Sequence, residues 1–400
     1  MAAYAGPLAR PVLFLHPSAT RYGADLQLHA LVTGLDPARY RPLVVLPERG
    51  ELGPWLDESG VEVHIQPVAV LRRALIRGSG LASTVGRLAR DRRRLGDLAR
   101  RAEVALVHTN TSAVLSGQSV AGRAGAPHLL HLREVYDGAG GRAGSALWPL
   151  LRRQILRADA VVCVSAAAAA QLGPAPNVSV IHDAPTRVPE RTRREEARRA
   201  LGIPDGRFAV AVVGRISDWK GQEVLVRALA EPPLADVGAI GLVAGDAAPG
   251  QEHFQHRLLE LGGRLGLNGR LRLTGFQPDL GAVLGAADAV AVPSAHPDAF
   301  PNAALEAAAA AMPLVASAIG GMAEIVSDGA TGRLVPAADA RALAAALREL
   351  ADDPGTASRL GAAAAKDVGR RFPMRRALGE LQALYDRLCT DGRRAARGAR

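Results

Sequence analysis

Two cations and two carboxylates give the second half of the sequence its clearest chemistry. Arg215 and Lys220 lie in the segment VGRISDWKG, directly after an apolar run, and Asp298 and Glu306 follow further along the chain. Arginine offers a planar fork of donors and lysine a compact point charge, so the two together can hold a diphosphate. Carboxylates accept hydrogen bonds from hydroxyl groups. The four residues therefore predict a ligand with hydroxyls beside a diphosphate, as in a nucleoside diphosphate sugar.

The elements around the two carboxylates can be predicted from the segment Val292–Gly332. Its pattern indicates a strand, a loop, a helix from about Asn302, another strand, and a turn at Gly320–Gly321 that leads into a further helix. Unpaired N–H groups and the positive end of the helix dipole favour phosphate at such helix starts. Asp298 is predicted in the loop and Glu306 one turn into the helix.

Short apolar runs alternate with helical patterns through nearly the whole chain. Most runs lack the alternation of half-exposed strands, which is typical of parallel sheets covered on both faces. The repeated strand–helix order predicts an α/β protein with right-handed crossovers. The predicted strands are Val12–His16, Pro42–Leu46, Val61–Ile65, Val104–Thr109, His128–His131, Ala160–Ser165, Val178–Ile181, Phe208–Gly214, Ile240–Gly245, Leu271–Thr274, Ala289–Pro293 and Leu314–Ser317.

The chain has 400 residues, which suits two or three domains of ordinary size. We predict two doubly wound, Rossmann-like domains that face a central cleft, because such sheets bind ligands beyond the carboxyl ends of their strands. The predicted segments are an N-terminal domain at 1–184, a charged linker with a short helix at 185–207, a C-terminal domain at 208–372, a helix at 373–389 and a disordered basic tail at 390–400.

Together these motifs resemble family 4 of the GT-B glycosyltransferases, which are retaining enzymes that use nucleotide sugars. The resemblance covers residues 10–388. It rests on Arg215 and Lys220, on the acidic-x7-Glu pair, and on two further motifs, Pro293–Ser294 and Gly320–Gly321 with Glu324 and 328–332 behind it. Three positions depart from the family, because Asp298 stands where a glutamate is usual, and Tyr22 and Asp25 stand where the family often has a glycine and a glutamate.

The resemblance implies a role for each matching residue, with the donor bound by the C-terminal domain and the acceptor by the N-terminal domain. Arg215 and Lys220 would neutralise the diphosphate, Glu306 would bind the ribose, and Asp298 would contact the sugar. The implied catalytic residues are Arg215, Lys220, Asp298 and His131. The implied donor contacts are Gly214, Ser217, Gly275, Phe276, Phe300, Pro301, Asn302, Glu306, Gly321 and Met322. The implied acceptor contacts are Gly23, His108, Arg133 and Glu134. For the two histidines at strand ends, His108 and His131, a structural role is the alternative.

The mechanism implied by the resemblance is retaining transfer to an acceptor hydroxyl, with no protein nucleophile. The acceptor would be a saccharide, a lipid-linked molecule or a small molecule, in the biosynthesis of a glycan, glycolipid or cell-envelope polysaccharide. Neither a cofactor nor a metal ion is expected, since no two aspartates stand two residues apart and the cations with the helix starts supply positive charge. A sugar-nucleotide epimerase of the same fold class is an alternative.

Basic residues are concentrated in part of the chain. The stretch Ala69–Arg101 holds ten arginines against two aspartates, and its leucines recur at helical spacing. This pattern predicts a basic amphipathic helix that could meet an anionic membrane surface; an ordinary surface helix is the alternative. A nucleic-acid-binding protein is disfavoured because the stretch contains no aromatic residue for stacking on bases.

The remaining composition favours a cytoplasmic protein, with attachment to the inner face of the plasma membrane as a variant of that prediction. Only two cysteines are present, so neither a disulfide framework nor a zinc site is expected. The first apolar run, Val12–Leu15, is too short for a signal peptide. The longest uncharged stretch, Ala307–Ala323, contains a proline and a Gly-Gly pair, which disfavours a membrane-spanning helix.

Overall fold

The computed structural model describes residues 9–71, 80–136 and 141–398. The chain divides into two compact units. Unit 1 comprises Met1–Asp183 and Met374–Arg400, and unit 2 comprises Ala184–Pro373. Two predicted boundaries differ from this division, because the segment predicted as a linker belongs to unit 2 and the C-terminal helix belongs to unit 1.

Unit 1 contains a seven-stranded, entirely parallel sheet with the order β3-β2-β1-β4-β5-β6-β7. Its strands are β1 (Arg10–Leu15), β2 (Tyr40–Leu46), β3 (Glu62–Ile65), β4 (Leu106–Thr109), β5 (His128–Leu132), β6 (Ala160–Cys163) and β7 (Val178–Val180). Its helices are α1 (Gly23–Gly34), α2 (Leu52–Glu58), α3 (Gly80–Arg101), α4 (Gly117–Ala124), α5 (Gly141–Ile155), α6 (Ala166–Ala170) and α16 (Met374–Gly398).

Both faces of this sheet are covered by apolar cores, which explains why the strands read as continuous apolar runs. Successive side chains of a strand point to opposite faces. In β1, Val12 and Phe14 belong to one core, whereas Leu13 and Leu15 belong to the other. All four side chains are completely buried.

Unit 2 contains a six-stranded parallel sheet with the order β10-β9-β8-β11-β12-β13. Its strands are β8 (Ala209–Val213), β9 (Ile240–Ala244), β10 (Leu271–Gly275), β11 (Ala289–Val292), β12 (Leu314–Ser317) and β13 (Arg333–Val335). Its helices are α7 (Arg194–Ala200), α8 (Gln222–Ala230), α9 (Pro232–Ala235), α10 (His253–Arg264), α11 (Gly281–Ala286), α12 (Asn302–Ala309), α13 (Met322–Ile325), α14 (Ala340–Asp352) and α15 (Pro354–Arg371).

The α/β class with two Rossmann-like sheets is confirmed, and a strand lies at each of the twelve predicted places. The sequence prediction missed β13, a strand of three residues that contains an arginine. Its pairing with β12, from Val315↔Arg333 to Ser317↔Val335, makes it an edge strand of the sheet.

The C-terminal helix α16 packs on unit 1. Tyr385 is fully buried, and its hydroxyl lies 2.5 Å from Nδ1 of His108. Asp386 accepts hydrogen bonds from Arg10 at 2.8 Å and from the Tyr40 hydroxyl at 2.7 Å. The prediction of a disordered tail from residue 390 is wrong up to residue 398, since α16 continues to Gly398. The alanines and arginines of this end are strong helix formers.

Helix α3 confirms the helical prediction for the basic stretch over residues 80–101, and residues 72–79 lie outside the described ones. Leu95 and Ala99 are buried in the core of unit 1, and Asp91 accepts the Ala69 N–H at 2.7 Å. The exposed face of α3 includes Arg92 and Arg93. These two apolar side chains are therefore covered within unit 1. Of the described helices, none is both long and apolar enough to cross a membrane.

Three histidines of the unit 1 sheet are expected to make stability depend on pH. Burial lowers the pKa of His128 to about 4 and holds the pKa of His108 and His131 well below the usual range. An unfolded histidine takes up a proton near pH ~6.5, whereas these remain neutral in the folded chain, so stability falls as the pH falls. Each histidine should lower the free energy of unfolding by about 1.4 kcal/mol as the pH falls from ~7.5 to ~5.5.

Urea unfolding at these two pH values measures the effect. A His131→Gln variant should lose about 1.4 kcal/mol less than the wild type over the same interval. An identical loss in both proteins would show that His131 does not contribute.

Candidate functional site

The strand order of unit 2 reverses between β8 and β11, and the loops that follow these two strands leave the same edge of the sheet. This reversal is the usual ligand crevice of a doubly wound sheet. The loop after β8 carries Lys220, and the loop after β11 carries Asp298. The topology therefore brings together two segments that are far apart in sequence.

Two glycines allow the backbones of these loops to pack directly on each other. Gly221 has φ +73°, and a Cβ on it would lie 1.8 Å from the carbonyl oxygen of Pro293. Gly320 has φ +63°, and a Cβ there would lie 2.1 Å from the carbonyl oxygen of Asp298. The Gly321 N–H donates to that same oxygen at 2.9 Å. Only glycine fits at positions 221 and 320 without moving a neighbouring backbone.

The closest charged contact of the site is an ion pair between these loops. Nζ of Lys220 lies 2.5 Å from Oδ2 of Asp298, and the two side chains are 34% and 17% exposed. Trp219 supports the pair, because its indole N–H donates to the Pro297 carbonyl at 3.2 Å and its ring lies 4.8 Å from that of His296. The sequence predicted two separate ligand contacts, and the structure joins them.

The backbone around Arg215 is held by residues that the sequence analysis did not select. Nε2 of Gln222, which is 1% exposed, donates to the Arg215 carbonyl at 3.0 Å. Gln222 also accepts the Ser217 N–H at 3.5 Å. Gly214 has φ +136°, and a Cβ on the neighbouring Gly245 would lie 2.2 Å from the Gly214 carbonyl oxygen. The predicted diphosphate loop is thus fixed by a buried amide and a second glycine contact.

Glu306 lies in α12 and is only 3% exposed. Burial raises the pKa of its carboxyl group, and the charge of Arg187 and the hydrogen bond from Thr186 oppose this effect. The Thr186 hydroxyl donates to Oε1 at 3.0 Å, and the Arg187 guanidinium approaches both carboxylate oxygens, at 3.3 and 3.4 Å. The sequence analysis missed both partners because they lie in the segment predicted as a linker.

The Gly275–Phe276 turn, predicted beside the base of the nucleotide, lies at the end of β10. Gly275 has φ +70°, and the Phe276 N–H donates to Oδ2 of Asp246 at 3.0 Å. Asp246 was also missed, although its position directly after the strand β9 and a glycine is a signal that could have found it. The Arg187 guanidinium donates to the carbonyl of Pro278, so the same arginine contacts both Glu306 and this turn.

Four predicted donor contacts lie around the starts of α12 and α13. Phe300 is 5% exposed, and its ring meets that of Phe372 edge to face at 5.2 Å. Met322 is 1% exposed. Pro301 caps α12, and Asn302 is its first residue. The buried side chains of Phe300 and Met322 have packing roles, which leaves the backbone of 300–302 for the predicted sugar contact.

In unit 1, Gly23 begins α1, and Asp25 anchors the preceding loop. Asp25 accepts hydrogen bonds from Ser18 and Thr20, each at 2.5 Å, and lies 2.7 Å from Nε2 of His16. Burial opposes ionisation of Asp25, but these hydrogen bonds outweigh it and lower its pKa. The loop after β1 is therefore held by a carboxylate with internal partners.

His108 and His131, predicted as an acceptor contact and a catalytic residue, are both buried. Their exposures are 0% and 3%, and their rings lie 5.5 Å apart within unit 1. His108 is hydrogen-bonded to Tyr385, so its side chain already has a partner in the core. The predicted roles of both histidines stay predictions.

Arg133 and Glu134 also have partners within unit 1. Arg133 is 7% exposed at its side chain and pairs with Asp183 at 2.5 Å. Glu134 accepts hydrogen bonds from the Ser112 hydroxyl at 2.6 Å and from the Ser112 N–H at 3.2 Å. Burial raises the pKa of Glu134, and these hydrogen bonds oppose the rise. The predicted acceptor contacts of both residues stay predictions.

The described residues include no group of three or more His, Cys, Asp or Glu side chains that could hold a metal ion. The polar groups at the edge of unit 2 are an ammonium, a guanidinium, two carboxylates and backbone N–H groups. This set can bind an anion and accept hydrogen bonds from hydroxyls.

Two models of known families match this chain, and the residues that they match are nearly those of the two sheets. Residues 193–367 match the model of the glycosyl transferases group 1, and residues 23–184 match that of Glycosyltransferase Family 4. The chain belongs to family 4 of the GT-B glycosyltransferases.

Two similar sequences are the D-inositol 3-phosphate glycosyltransferases of Kribbella flavida and Corynebacterium diphtheriae. The first is 38% identical over 175 residues, which is 42% of this chain and 41% of that protein. The second is 39% identical over 199 residues, which is 48% of this chain and 45% of that protein. The chain therefore spans less than half the length of these curated relatives.

A similar solved structure is that of HepE from Anabaena in complex with UDP and glucose. It superposes with a TM-score of 0.79 at 25% sequence identity, and the match covers 94% of this chain and 99% of HepE. The match therefore includes residues of both units, which agrees with the GT-B fold of the family.

The glycine contact at position 221 predicts a large local cost for a small substitution. Gly221→Ala should destabilise the protein by more than about 1 kcal/mol, because its φ is positive and the new Cβ would meet a backbone oxygen. Gly263→Ala in α10 is the matched control, since open space surrounds that glycine. It should stabilise the helix by about 0.5–1 kcal/mol. Denaturant unfolding of both variants tests this, and equal effects would contradict it.

Proposed function

We propose that this protein is a retaining glycosyltransferase that transfers a sugar from a nucleoside diphosphate sugar to an acceptor hydroxyl. The observation that carries the proposal is the position of the Lys220–Asp298 pair, which lies where the strand order of unit 2 reverses. Charged and hydroxyl-binding groups meet there at the carboxyl edge of a doubly wound sheet, where ligands of this architecture bind. The binding of UDP and glucose by HepE supports a nucleotide-sugar donor.

The donor would lie along the loops of unit 2. Arg215 and Lys220 would bind the diphosphate, and the partly exposed Lys220 ammonium is accessible to it. Asp298 would accept hydrogen bonds from the sugar hydroxyls, and Glu306 from the ribose. Lys220 and Asp298 are in contact with each other. A bound donor would therefore have its diphosphate next to Lys220 and its sugar next to Asp298.

In the proposed reaction, the bond between the anomeric carbon and the diphosphate oxygen breaks, and a bond to the acceptor oxygen forms on the same face. The acceptor proton passes to the departing diphosphate oxygen. The products are the nucleoside diphosphate and a glycoside of unchanged anomeric configuration. Lys220 and Arg215 would stabilise the charge that develops on the leaving group. The proposed reaction uses no metal ion.

The acceptor is proposed to bind unit 1. The inositol phosphate in the names of the two sequence relatives is one small-molecule candidate, beside a saccharide and a lipid-linked molecule. We place the protein in the cytoplasm, in the synthesis of a glycan, glycolipid or cell-envelope polysaccharide. The exposed arginines of α3 would attract it to the inner face of an anionic membrane.

A panel of nucleotide sugars tests the proposal. Each is incubated with the protein, with and without inositol phosphate or a membrane fraction as acceptor, and with and without EDTA. Acceptor-dependent release of nucleoside diphosphate, unchanged by EDTA, is expected, and the anomeric configuration of the product is read by NMR. Conversion of the donor without acceptor would favour an epimerase. An inverted anomeric centre would refute the retaining mechanism.

Lys220→Ala is expected to lower kcat/KM roughly 10- to 150-fold, which corresponds to a loss of about 1.5–3 kcal/mol of transition-state stabilisation. The loss arises because a charge-assisted contact to the diphosphate is removed. Lys366→Ala is the matched control, as Lys366 is the other lysine of the chain and is exposed on α15. Steady-state kinetics of both variants decide the point, and equal activities would remove Lys220 from the mechanism.

A further inference from the structure

The segment that precedes α7 is part of unit 2, although the sequence predicts a linker there. The Thr192 N–H donates to the carbonyl of Gly281 at 3.1 Å. A Cβ on Gly285 would lie 2.3 Å from the carbonyl oxygen of Thr192, so the segment lies directly against α11. This packing fixes the stretch that leads back to Arg187.

Arg187 links two parts of the proposed donor site. Its Nε lies 3.3 Å from Oε1 of Glu306, and its Nη2 lies 3.4 Å from Oε2. Its Nη1 donates to the carbonyl of Pro278, two residues after the Gly275–Phe276 turn. The guanidinium therefore spans from the carboxylate proposed for the ribose to the turn proposed for the base.

Glu306 needs such a partner because it is almost fully buried. Taking a carboxylate out of water is costly, and a buried carboxylate tends to become protonated unless a cation or hydrogen bonds compensate. Burial raises the pKa of Glu306, and the charge of Arg187 is the largest effect that opposes the rise. Arg187, together with the hydrogen bond from Thr186, therefore favours the ionised form of Glu306, which is the stronger hydrogen-bond acceptor.

The carboxylate still has room for a ligand. An ionised carboxylate offers about four lone-pair positions. Two of these positions are used, one on Oε1 by the Thr186 hydroxyl at 3.0 Å and one on Oε2 by Nη2 of Arg187 at 3.4 Å. The remaining positions can accept the two hydroxyls of a ribose.

We propose that Arg187 is a positioning residue for the nucleoside of the donor, which it serves by holding the Glu306 carboxylate and the Pro278 carbonyl in a fixed relation. This inference rests on the proposed function. Arg187 acts through Glu306 and through the Gly275–Phe276 turn. Its removal should therefore weaken recognition of the ribose hydroxyls more than recognition of the diphosphate.

Calorimetry with two ligands separates these contributions. UDP, ADP, GDP and CDP are first titrated into the wild-type protein, and the tightest binder is then compared with its 2′,3′-dideoxy analogue. The wild type should prefer the ribose form by about tenfold or more. Arg187→Met should lower affinity for the ribose form about tenfold and change affinity for the dideoxy form by less than about twofold.

Two further variants serve as controls. Arg187→Lys keeps the charge but lacks the planar fork, so it should retain part of the preference for ribose. Arg191→Met removes an exposed arginine from the same segment and should leave both affinities unchanged. Unchanged dideoxy affinity in Arg187→Met also shows that this variant is folded.

A double-mutant cycle with Glu306→Gln tests whether Arg187 acts through the carboxylate. In the Glu306→Gln background, Arg187→Met should have little further effect on affinity for the ribose form. A full loss in that background, or an equal loss for both ligands in the single variant, would overturn the inference about Arg187. If the wild type binds a nucleotide but Arg187→Met binds it equally well, only this inference falls. If the wild type binds no nucleoside diphosphate, the proposed function falls with it.

Discussion

Direct backbone packing of three loops at the carboxyl edge of unit 2 is the constraint on which the site depends. Gly221 lies against the Pro293 carbonyl and Gly320 against the Asp298 carbonyl, at distances that exclude any side chain. These contacts hold the loops after β8, β11 and β12 together through their backbones. The 2.5 Å approach of Lys220 to Asp298 follows from this packing.

The two carboxylates of the site are held in different ways. Asp298 and Lys220 are partly exposed, and ion pairs in contact with water contribute little to stability, so a ligand can compete for either partner at small cost. Glu306 is buried, although the Arg187 side chain is 29% exposed, and a buried carboxylate that loses its cation is left uncompensated at a high cost. The end of the site that would meet sugar and phosphate can therefore exchange partners more easily than the end that would meet the nucleoside.

The fold could be predicted from the sequence wherever burial is uniform. Strands such as β1 are buried on both faces and read as apolar runs without any knowledge of their neighbours. The strand β13 could not be found in this way, because an edge strand of three residues has too little apolar pattern and exists through its pairing with β12. The assignment of α16 to unit 1 was also beyond the sequence, since it depends on long-range contacts such as Tyr385 with His108.

The candidate site shows the same limit at the level of side chains. Motif spacing identified Lys220, Asp298 and Glu306, because each lies in a local pattern. Arg187 carries no local signal, and its partner is 119 positions away along the chain. A polar side chain at the end of a strand can either meet a ligand or anchor the next loop, and spacing alone does not separate the two roles.

The exposure of a side chain adds a criterion that spacing lacks. Lys220 has an exposed fraction of 34%, whereas Arg133, which follows β5 directly, has 7% and pairs with Asp183. Breaking the Arg133–Asp183 pair would leave a buried charge without a partner, which is costly. The resemblance implied a catalytic role for Lys220 and an acceptor contact for Arg133. The lysine is accessible to an anion as it stands, whereas an acceptor that took over the Arg133 guanidinium would have to compensate Asp183.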